Sequence, residues 1–284
     1  NLNGADLRGS GRARLTSAGF DGDLTGAVNA RGGFAAADAR ALADMAFPPA
    51  LDAVSNAALR KALASMRLTA PRYRLALNKA GAEISLPQPA RLAFDGGALN
   101  LASVTAQAGA NGTTGAAHAV LTASGLPKLD LTVNRYRAAA GAFEAAARLD
   151  VDGALYGLQG AKLAPELRVN QTGGALRIAL PGCAPFTVAG YGAPDPILKD
   201  AKGQLCPADQ PLVAARGAAW RSKVALKAVE TGLPTAEARF AEGAGAADIR
   251  GAGGAPLRGD IVLSGGRLTD AAKAVRFAPL NVSG

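Results

Sequence analysis

Short runs in which hydrophobic and polar residues alternate recur along most of the chain. In LDLTVN, Leu129, Leu131 and Val133 alternate with polar residues and therefore share one face of a strand, because successive strand side chains point to opposite faces. Turn-forming sequences such as FDGG, NQTGG and LSGG separate these runs. The pattern predicts a mainly β protein built on an antiparallel sheet with one apolar and one wet face.

The apolar members of these runs form the predicted inner face of the sheet. They are Leu75, Leu77, Ile84, Leu86, Leu129, Leu131, Val133, Ile178, Leu180, Val224, Leu226, Ile261 and Leu263. The sequence does not alternate strands with long helices, so we do not expect a Rossmann or α/β-barrel fold. We expect one elongated domain, a curled antiparallel sheet with strands in residues 1–35 and again throughout residues 69–284.

Residues 36–68 interrupt the alternation and are predicted to be a helical insertion. The FPP sequence at residues 47–49 ends one short helix and begins another, since proline is tolerated in a first helical turn. Helical spacing then predicts an apolar stripe on a helix from about residue 49 to 66. Its members are Leu51, Val54, Ala58, Leu59, Ala62, Leu63 and Met66. Of these, Leu51, Val54, Leu59, Leu63 and Met66 are predicted to face inward. We predict that the stripe packs on the apolar side of the sheet; a membrane-surface or lid role is the alternative, because basic residues flank it.

The composition indicates a thin interior. The chain has 284 residues, of which only 5% are aromatic, with 36 Gly and 16 Pro. Small side chains and frequent turns favour an extended β architecture over a thick two-layer core. The chain starts at Asn1 without Met and contains no apolar run long enough to cross a membrane. We interpret it as a segment of a longer protein, so an anchor outside the segment is compatible with the sequence.

Charge and candidate chemistry narrow the function classes. The net charge is +9, but the Lys and Arg residues are scattered along the chain and no nucleic-acid-binding module is recognised, so a nucleic-acid partner is not expected. His118 is the only histidine, and neither a metal ligand set nor a catalytic triad can be built around it. The DVDG and GAGGAP sequences lack the remaining residues of a calcium loop or a nucleotide loop and are interpreted as turns. We expect no enzyme activity, no metal and no cofactor.

Cys183 and Cys206 are the only cysteines, and each lies close to a proline beside a strand-like run. Two cysteines alone cannot complete a four-ligand metal site, and their separation is too large for a Cys-x-x-Cys redox pair. A structural disulfide is favoured over two free thiols, because a covalent bond would fix the Pro/Gly-rich segment between them. Closing such a loop stabilises a fold by about 3 kcal/mol. A disulfide would indicate an oxidising compartment such as the periplasm.

The series of amphipathic strands, the Ala-rich helical segment before RYRLALNKAGAEISLPQPARLAF and the later GQLCPADQPLV resemble the AsmA-like proteins, in particular their YdbH-type branch. The resemblance implies a repeating β-groove that is tethered to the inner membrane by a part of the chain not present here. It implies that phospholipid is the cargo, carried across the periplasm to the outer membrane, with an outer-membrane protein as a candidate partner. It brings no catalytic residues.

The resemblance gives the predicted inner face a role, which is to contact acyl chains. Burying an acyl chain against apolar side chains is worth about 0.8 kcal/mol per CH₂ group. The alternative is a structural or adhesive extracytoplasmic β-module whose sheet closes around a dry core and carries no cargo. An open apolar face in the structure would favour the first reading, and a closed core would favour the second.

Overall fold

The computed structural model describes residues 2–16, 21–34, 53–79, 81–155, 157–192, 195–217, 219–251, 258–270, 272 and 274–283. Within these residues the protein is mainly β, and its nineteen strands are assigned to one antiparallel sheet, which confirms the predicted fold class. The strands are β1 Leu2–Thr16, β2 Asp21–Phe34, β3 Met66–Asn78, β4 Gly81–Ser85, β5 Ala90–Phe94, β6 Gly97–Gly109, β7 Gly112–Ala123, β8 Lys128–Ala139, β9 Ala142–Leu155, β10 Leu158–Leu163, β11 Glu166–Thr172, β12 Ala175–Ala179, β13 Ala184–Tyr191, β14 Leu198–Cys206, β15 Val213–Arg216, β16 Ala219–Leu233, β17 Ala238–Gly251, β18 Arg258–Asp270 and β19 Val275–Ser283. One α-helix, α1, covers Ala53–Ala64, and a 3-10 turn covers Pro234–Ala236.

The chain divides into two compact units. The first unit comprises Asn1–Ala46 and Ala53–Arg148, and the second comprises Phe47–Asp52 and Leu149–Gly284. Strand β9 contributes its first half to the first unit and its second half to the second. The single elongated domain expected from the sequence remains a prediction.

In the first unit the strands follow one another as a meander. Strand β1 pairs with β2, and β2 pairs with β3. The next position is shared by two short strands, because β3 pairs with both β4 and β5, and both of these pair with β6. Strands β7 and β8 then continue the ladder from β6. Every one of these pairings is antiparallel, which fits the short turns of the sequence.

The second unit uses the same plan with more divided strands. Strand β10 pairs with β9 and β13, β13 with β14, and β14 with β16. A second series of antiparallel pairs also leads to β16: β11 pairs with β12, β12 with β15, and β15 with β16. Beyond β16 the strands are long again and pair in the order β16, β17, β18 and β19.

Prolines mark each point at which a strand position is divided. Proline lacks a backbone N–H and cannot donate to a ladder, so it ends pairing in the middle of a sheet. The dividing residues are Pro87 and Pro89 between β4 and β5, Pro165 between β10 and β11, Pro181 between β12 and β13, and Pro207 and Pro211 between β14 and β15. The positions of these prolines in the sequence therefore determine where the ladder is divided.

The helix differs from its prediction at the C-terminal end. Helix α1 ends at Ala64, and Met66 lies in β3, where it pairs with Gly32 and Phe94. The predicted helical boundary at Met66 is wrong because the residues from Met66 onward alternate between apolar and polar, which suits a strand. Ser65 separates the two elements, and its hydroxyl oxygen accepts a hydrogen bond of 2.9 Å from the backbone N–H of Asp95.

Candidate functional site

Strand β7 shows how the two faces of the first unit's sheet are composed. Its odd-numbered residues include Ala117, Ala119 and Leu121, and its even-numbered residues include His118. Across the ladder, Ala119 lies opposite Leu101 and Leu131, whereas His118 lies opposite Ser103 and Thr132. Residues that lie opposite one another share a face, so the ladder carries the two faces of β7 to the neighbouring strands.

The ladder assembles one continuous apolar face from β2 to β8, which we name the apolar face of the first unit. Its large members are Leu24, Val28, Met66, Leu68, Tyr73, Leu75, Leu77, Ile84, Leu92, Phe94, Leu99, Leu101, Val104, Leu121, Leu129, Leu131, Val133 and Tyr136. The remaining paired positions on this face are almost all Gly or Ala. Among the described residues of these seven strands, no charged residue occupies a paired position on the face.

Two irregularities keep the face apolar where simple alternation would fail. In β3, Ala70 lies opposite Val28 and Tyr73 lies opposite Gly26, so β3 has one extra residue in this interval. Pro71 lies inside the interval, in keeping with the preference of proline for bulges. In β8 a similar shift between Val133 and Tyr136 returns the tyrosine to the face of the leucines. Each bulge therefore places an aromatic residue on the apolar face.

The large side chains of this face are not enclosed. Among the described residues of the first unit, every buried hydrophobic residue is an alanine: Ala62, Ala70, Ala90, Ala98 and Ala147. Leucines and valines such as Leu75, Leu131 and Val133 remain half-buried, and Ile84 retains 44% of its accessible surface. A closed core would bury these larger residues first. The first unit thus presents an apolar sheet face that its own residues do not cover.

Two aromatic rings of this face, those of Tyr73 and Tyr136, lie over glycines of the neighbouring strand. A Cβ atom added at Gly26 would stand 2.7 Å from the hydroxyl oxygen of Tyr73, and one added at Gly115 would stand 2.7 Å from Cε1 of Tyr136. The ring of Tyr136 also stacks on that of Phe143, with the ring centroids 6.0 Å apart. Because the rings cover glycine backbone, they add apolar area without standing above the leucines.

The same arrangement of ring and glycine recurs in the second unit. The indole of Trp220 covers Gly251, which lies directly opposite it, and the ring of Phe186 covers Gly203. Phe240 is clamped between Gly243 of its own strand and Gly266 of β18. We did not predict this pairing from the sequence, although the frequent glycines inside strand-like runs are its signal.

The second unit differs from the first in how far its apolar face is packed. Larger side chains reach full burial there, including Leu180 at 6% exposure and Phe240 at 4%. Val188, Val224 and Val229 are also buried. These residues form a packed interior of modest size, whereas other members of the same face, such as Leu226 and Leu263, are only half-buried.

The predicted inner-face residues fall on the apolar faces of the two units. In the first unit the ladder brings together Leu75, Leu77, Ile84, Leu129, Leu131 and Val133, and Leu86 follows β4 directly. In the second unit it brings together Ile178, Val224, Leu226 and Leu263, and Leu180 follows β12 directly. Ile261 pairs with Ala247 on the same face, but the structure describes only its backbone. Contact of these residues with lipid remains a prediction.

Helix α1 contacts strands β2 and β5. Of its predicted stripe, Leu63 is half-buried, Val54 and Leu59 lie in the helix with only their backbone described, and Leu51 lies outside the described residues. Ala62, another member of the predicted stripe, is buried at 7% exposure. Packing of the stripe on the apolar side of the sheet remains a prediction.

The polar faces of the two units differ in their ion pairs. In the second unit the side chain of Arg221 donates two hydrogen bonds to Asp248, one of them from Nε at 2.8 Å, and Arg250 approaches the same carboxylate. These hydrogen bonds, led by that from Arg221, hold the pKa of Asp248 well below its ordinary value. Hydrogen bonds from Arg239 and then Lys202 likewise lower the pKa of Glu230.

In the first unit His118 lies on the polar face and pairs with Asp130 across the ladder, with 2.8 Å between Nε2 and Oδ1. This agrees with the sheet position predicted for the single histidine. Among the described residues no group of three or more His, Cys, Asp or Glu side chains is arranged to hold a metal ion.

Cys183 and Cys206 form a disulfide, which confirms the predicted pairing. Cys183 directly precedes β13, and Cys206 is the last residue of β14 and is buried at 1% exposure. The bond therefore links the start of one strand to the end of its ladder partner and encloses the Pro/Gly-rich segment between them. A disulfide is compatible with an extracytoplasmic location.

Comparison with known proteins does not place the chain in a family. No protein-family model, curated protein or solved structure matches it. No helix in the described part of the chain is long and apolar enough to cross a membrane. The function must therefore be inferred from the faces of the sheet.

Proposed function

We propose that this chain is a segment of a periplasmic lipid-transfer protein of the AsmA-like, YdbH-type class, and that its apolar sheet face holds the acyl chains of phospholipids. In this proposal, parts of the protein outside the segment connect it with the inner membrane and with the outer membrane or a partner protein there. The chain itself supplies apolar surface and performs no chemical reaction.

The observation that carries the proposal is the uncovered apolar face of the first unit. Seven strands of the first unit contribute Leu, Ile, Val and aromatic side chains to one face, yet none of these large side chains is buried. Exposed apolar surface of this extent is unfavourable in water and marks a binding surface. An acyl chain would supply the missing contacts, at about 0.8 kcal/mol for each CH₂ group removed from water.

The flat aromatic rings support the same proposal. Upright rings of Tyr73 and Tyr136 would divide the face into separate pockets, which would suit a compact ligand. With the rings lying on Gly26 and Gly115, the leucine rows remain open along the strands. A surface of this kind suits a long, flexible hydrocarbon chain that is held without a fixed register.

A closed, dry β-module is the second candidate, and the second unit supplies the observation that favours it. Leu180, Val188, Val224, Val229 and Phe240 are buried there, as residues of a packed core are. In that reading the chain is a structural or adhesive extracytoplasmic module that carries no cargo.

The experiment compares two neighbouring substitutions on opposite faces of β8. Lipids extracted from the purified chain are quantified by mass spectrometry for the wild type, L131D and T132D. A carboxylate at Leu131 would have to lose water among hydrocarbon, whereas one at Thr132 lies on the polar face. We expect phospholipid in the wild type and in T132D, and its loss in L131D, with both variants folded. Absence of phospholipid from the wild type, or equal retention in both variants, would refute the proposal.

A further inference from the structure

The positive charge of the chain is concentrated in one region. Residues 53–148, about a third of the sequence, contain 11 Lys and Arg against 4 Asp and Glu, whereas the remaining residues contain 20 against 18. The first region alone therefore carries +7 of the net +9. It coincides with the larger part of the first unit.

Besides Arg74, four of these cations lie on the face opposite the apolar one. Arg91 pairs with Thr69, two residues after Arg67 in β3, so the two arginines share a face. The ladder continues from Arg91 through Asn100 and Val120 to Asp130, and Lys128 lies on the same side of β8. Arg137 pairs with Thr114 on that face as well. We name Arg67, Arg91, Lys128 and Arg137 the basic face.

The side chains of the basic face are exposed, and among the described residues none of them forms an ion pair. Two carboxylates on the same face have other partners. Asp130 pairs with His118, and Glu83 accepts a hydrogen bond from Gln107. In the described part of the second unit, by contrast, seven cations are paired with carboxylates. They are Lys162, Lys202, Arg221, Lys223, Arg239, Arg250 and Arg267.

The chemistry of the basic face favours one kind of partner. Between its cations the paired positions carry mainly Ala, Ser, Thr, Asn and Gln, together with Val120 and the His118–Asp130 pair, and no Phe, Tyr or Trp on which a nucleic-acid base could stack. The face also lacks the large apolar anchors that form the centre of protein–protein interfaces. Dispersed cations without an apolar centre suit a fluid layer of anionic headgroups, which adjusts to their spacing.

We propose that the basic face docks this chain on the surface of an anionic lipid bilayer. The contact is electrostatic and lies on the side of the sheet opposite the apolar face. It is a peripheral interaction with phosphate-bearing headgroups, separate from any binding of acyl chains, and it leaves the apolar face uncovered.

The test measures binding of the chain to phosphatidylcholine vesicles with and without phosphatidylglycerol by co-sedimentation. We expect binding that requires phosphatidylglycerol and weakens as salt is raised, because ions screen exposed charges beyond about 10 Å at 0.1 M ionic strength. The R67Q/R91Q/R137Q variant should lose affinity by about tenfold or more, since each Lys or Arg near an anionic surface contributes to attraction.

The matched control removes three arginines from the polar face of the second unit. Arg168, Arg177 and Arg258 are exposed and, among the described residues, form no ion pair, so R168Q/R177Q/R258Q changes the net charge equally. This variant should retain most of its binding, and thermal unfolding should show that both variants are folded. An equal loss in the two variants would overturn the proposal, because net charge alone would then explain the binding. Binding that ignores phosphatidylglycerol, or tighter binding to a single-stranded oligonucleotide, would overturn it too.

Discussion

The two units place similar strands in similar ladders but use their apolar faces differently. In the first unit the leucines and valines of the face remain partly exposed, and apart from Pro127 only alanines are buried among the described residues. In the second unit Val224, Val229 and Phe240 are buried, a disulfide joins β13 to β14, and ion pairs cover the polar face. The same alternating pattern can thus produce an open surface or a packed one. Alternation specifies the face, and local packing decides how far it is covered.

The difference also suggests a division of roles. A sheet whose apolar face remains open must obtain its stability from elsewhere, since burial of apolar surface is the main stabilising term in folding. In the second unit the disulfide, the clamped ring of Phe240 and the Arg221–Asp248 pair supply local stability. The first unit has an extensive backbone ladder and small buried alanines.

The largest expected difference in stability follows truncation of a side chain on each apolar face. F240A should destabilise the second unit by about 3–5 kcal/mol, as the removal of a buried phenylalanine does in well-packed cores. Truncation of the half-buried Leu131 to alanine should cost less than about 1.5 kcal/mol, because its side chain is only partly removed from water. Unfolding of the second unit is followed through Trp220, the only tryptophan, and unfolding of the first by hydrogen exchange. Equal losses would show that the two faces are packed alike.

The next largest effect is expected from removal of the disulfide, which should destabilise the second unit and leave the first unchanged. Loss of the Cys183–Cys206 bond in C183A/C206A should destabilise the second unit by about 3 kcal/mol in the chain-entropy model, and slow-exchanging amides of β13 and β14 should lose protection. Amides of β6 and β7 in the first unit serve as the internal control and should be unchanged. A uniform loss of protection in both units would indicate that they unfold as one.

Acid should weaken the second unit through its paired carboxylates. The pKa of Asp248 is lowered in the folded state, first by its hydrogen bonds from Arg221, so this pair contributes its full stability above the unfolded pKa near 3.8. The contribution is lost as the pH falls through the lowered folded pKa. The urea midpoint of the second unit should therefore decrease below about pH 4. D248N should be less stable than the wild type at neutral pH, and its urea midpoint should change less between neutral and acid pH. A pH dependence as steep as that of the wild type would exclude the Arg221–Asp248 pair as a cause of the acid sensitivity.

A smaller effect is expected where a ring lies on a glycine. A Cβ atom at Gly251 would meet only atoms of the Trp220 indole among its nearest neighbours, so G251A should lift the ring and leave the backbone in place. We expect a red-shifted tryptophan emission and a loss of stability of about 1 kcal/mol. The exposed Gly182, where an added Cβ meets nothing within 4 Å, provides the matched control G182A. Unchanged emission in G251A would contradict the flat position of the ring.

The sequence was sufficient to predict the fold class and the members of each face, because a period of two directly reports strand faces. In LDLTVN the alternation alone places Leu129, Leu131 and Val133 together. It could not place Tyr136, whose position depends on a bulge that shifts the register by one residue. The helix boundary at Met66 was missed because an apolar residue fits both a helical stripe and an alternating strand. The partner of each cation, such as Asp248 for Arg221, depends on the ladder register and is not visible in sequence.

The central claim is that the apolar face of the first unit receives hydrocarbon from lipid while the second unit is packed. Its most direct test places a photo-crosslinking amino acid at Leu131, at its polar-face neighbour Thr132 and at the buried Val224, and identifies adducts formed in cells by mass spectrometry. We predict phospholipid adducts through the acyl chain at Leu131, and few or none at Thr132 and Val224. Equal adducts at Leu131 and Thr132, or none at Leu131, would contradict the account.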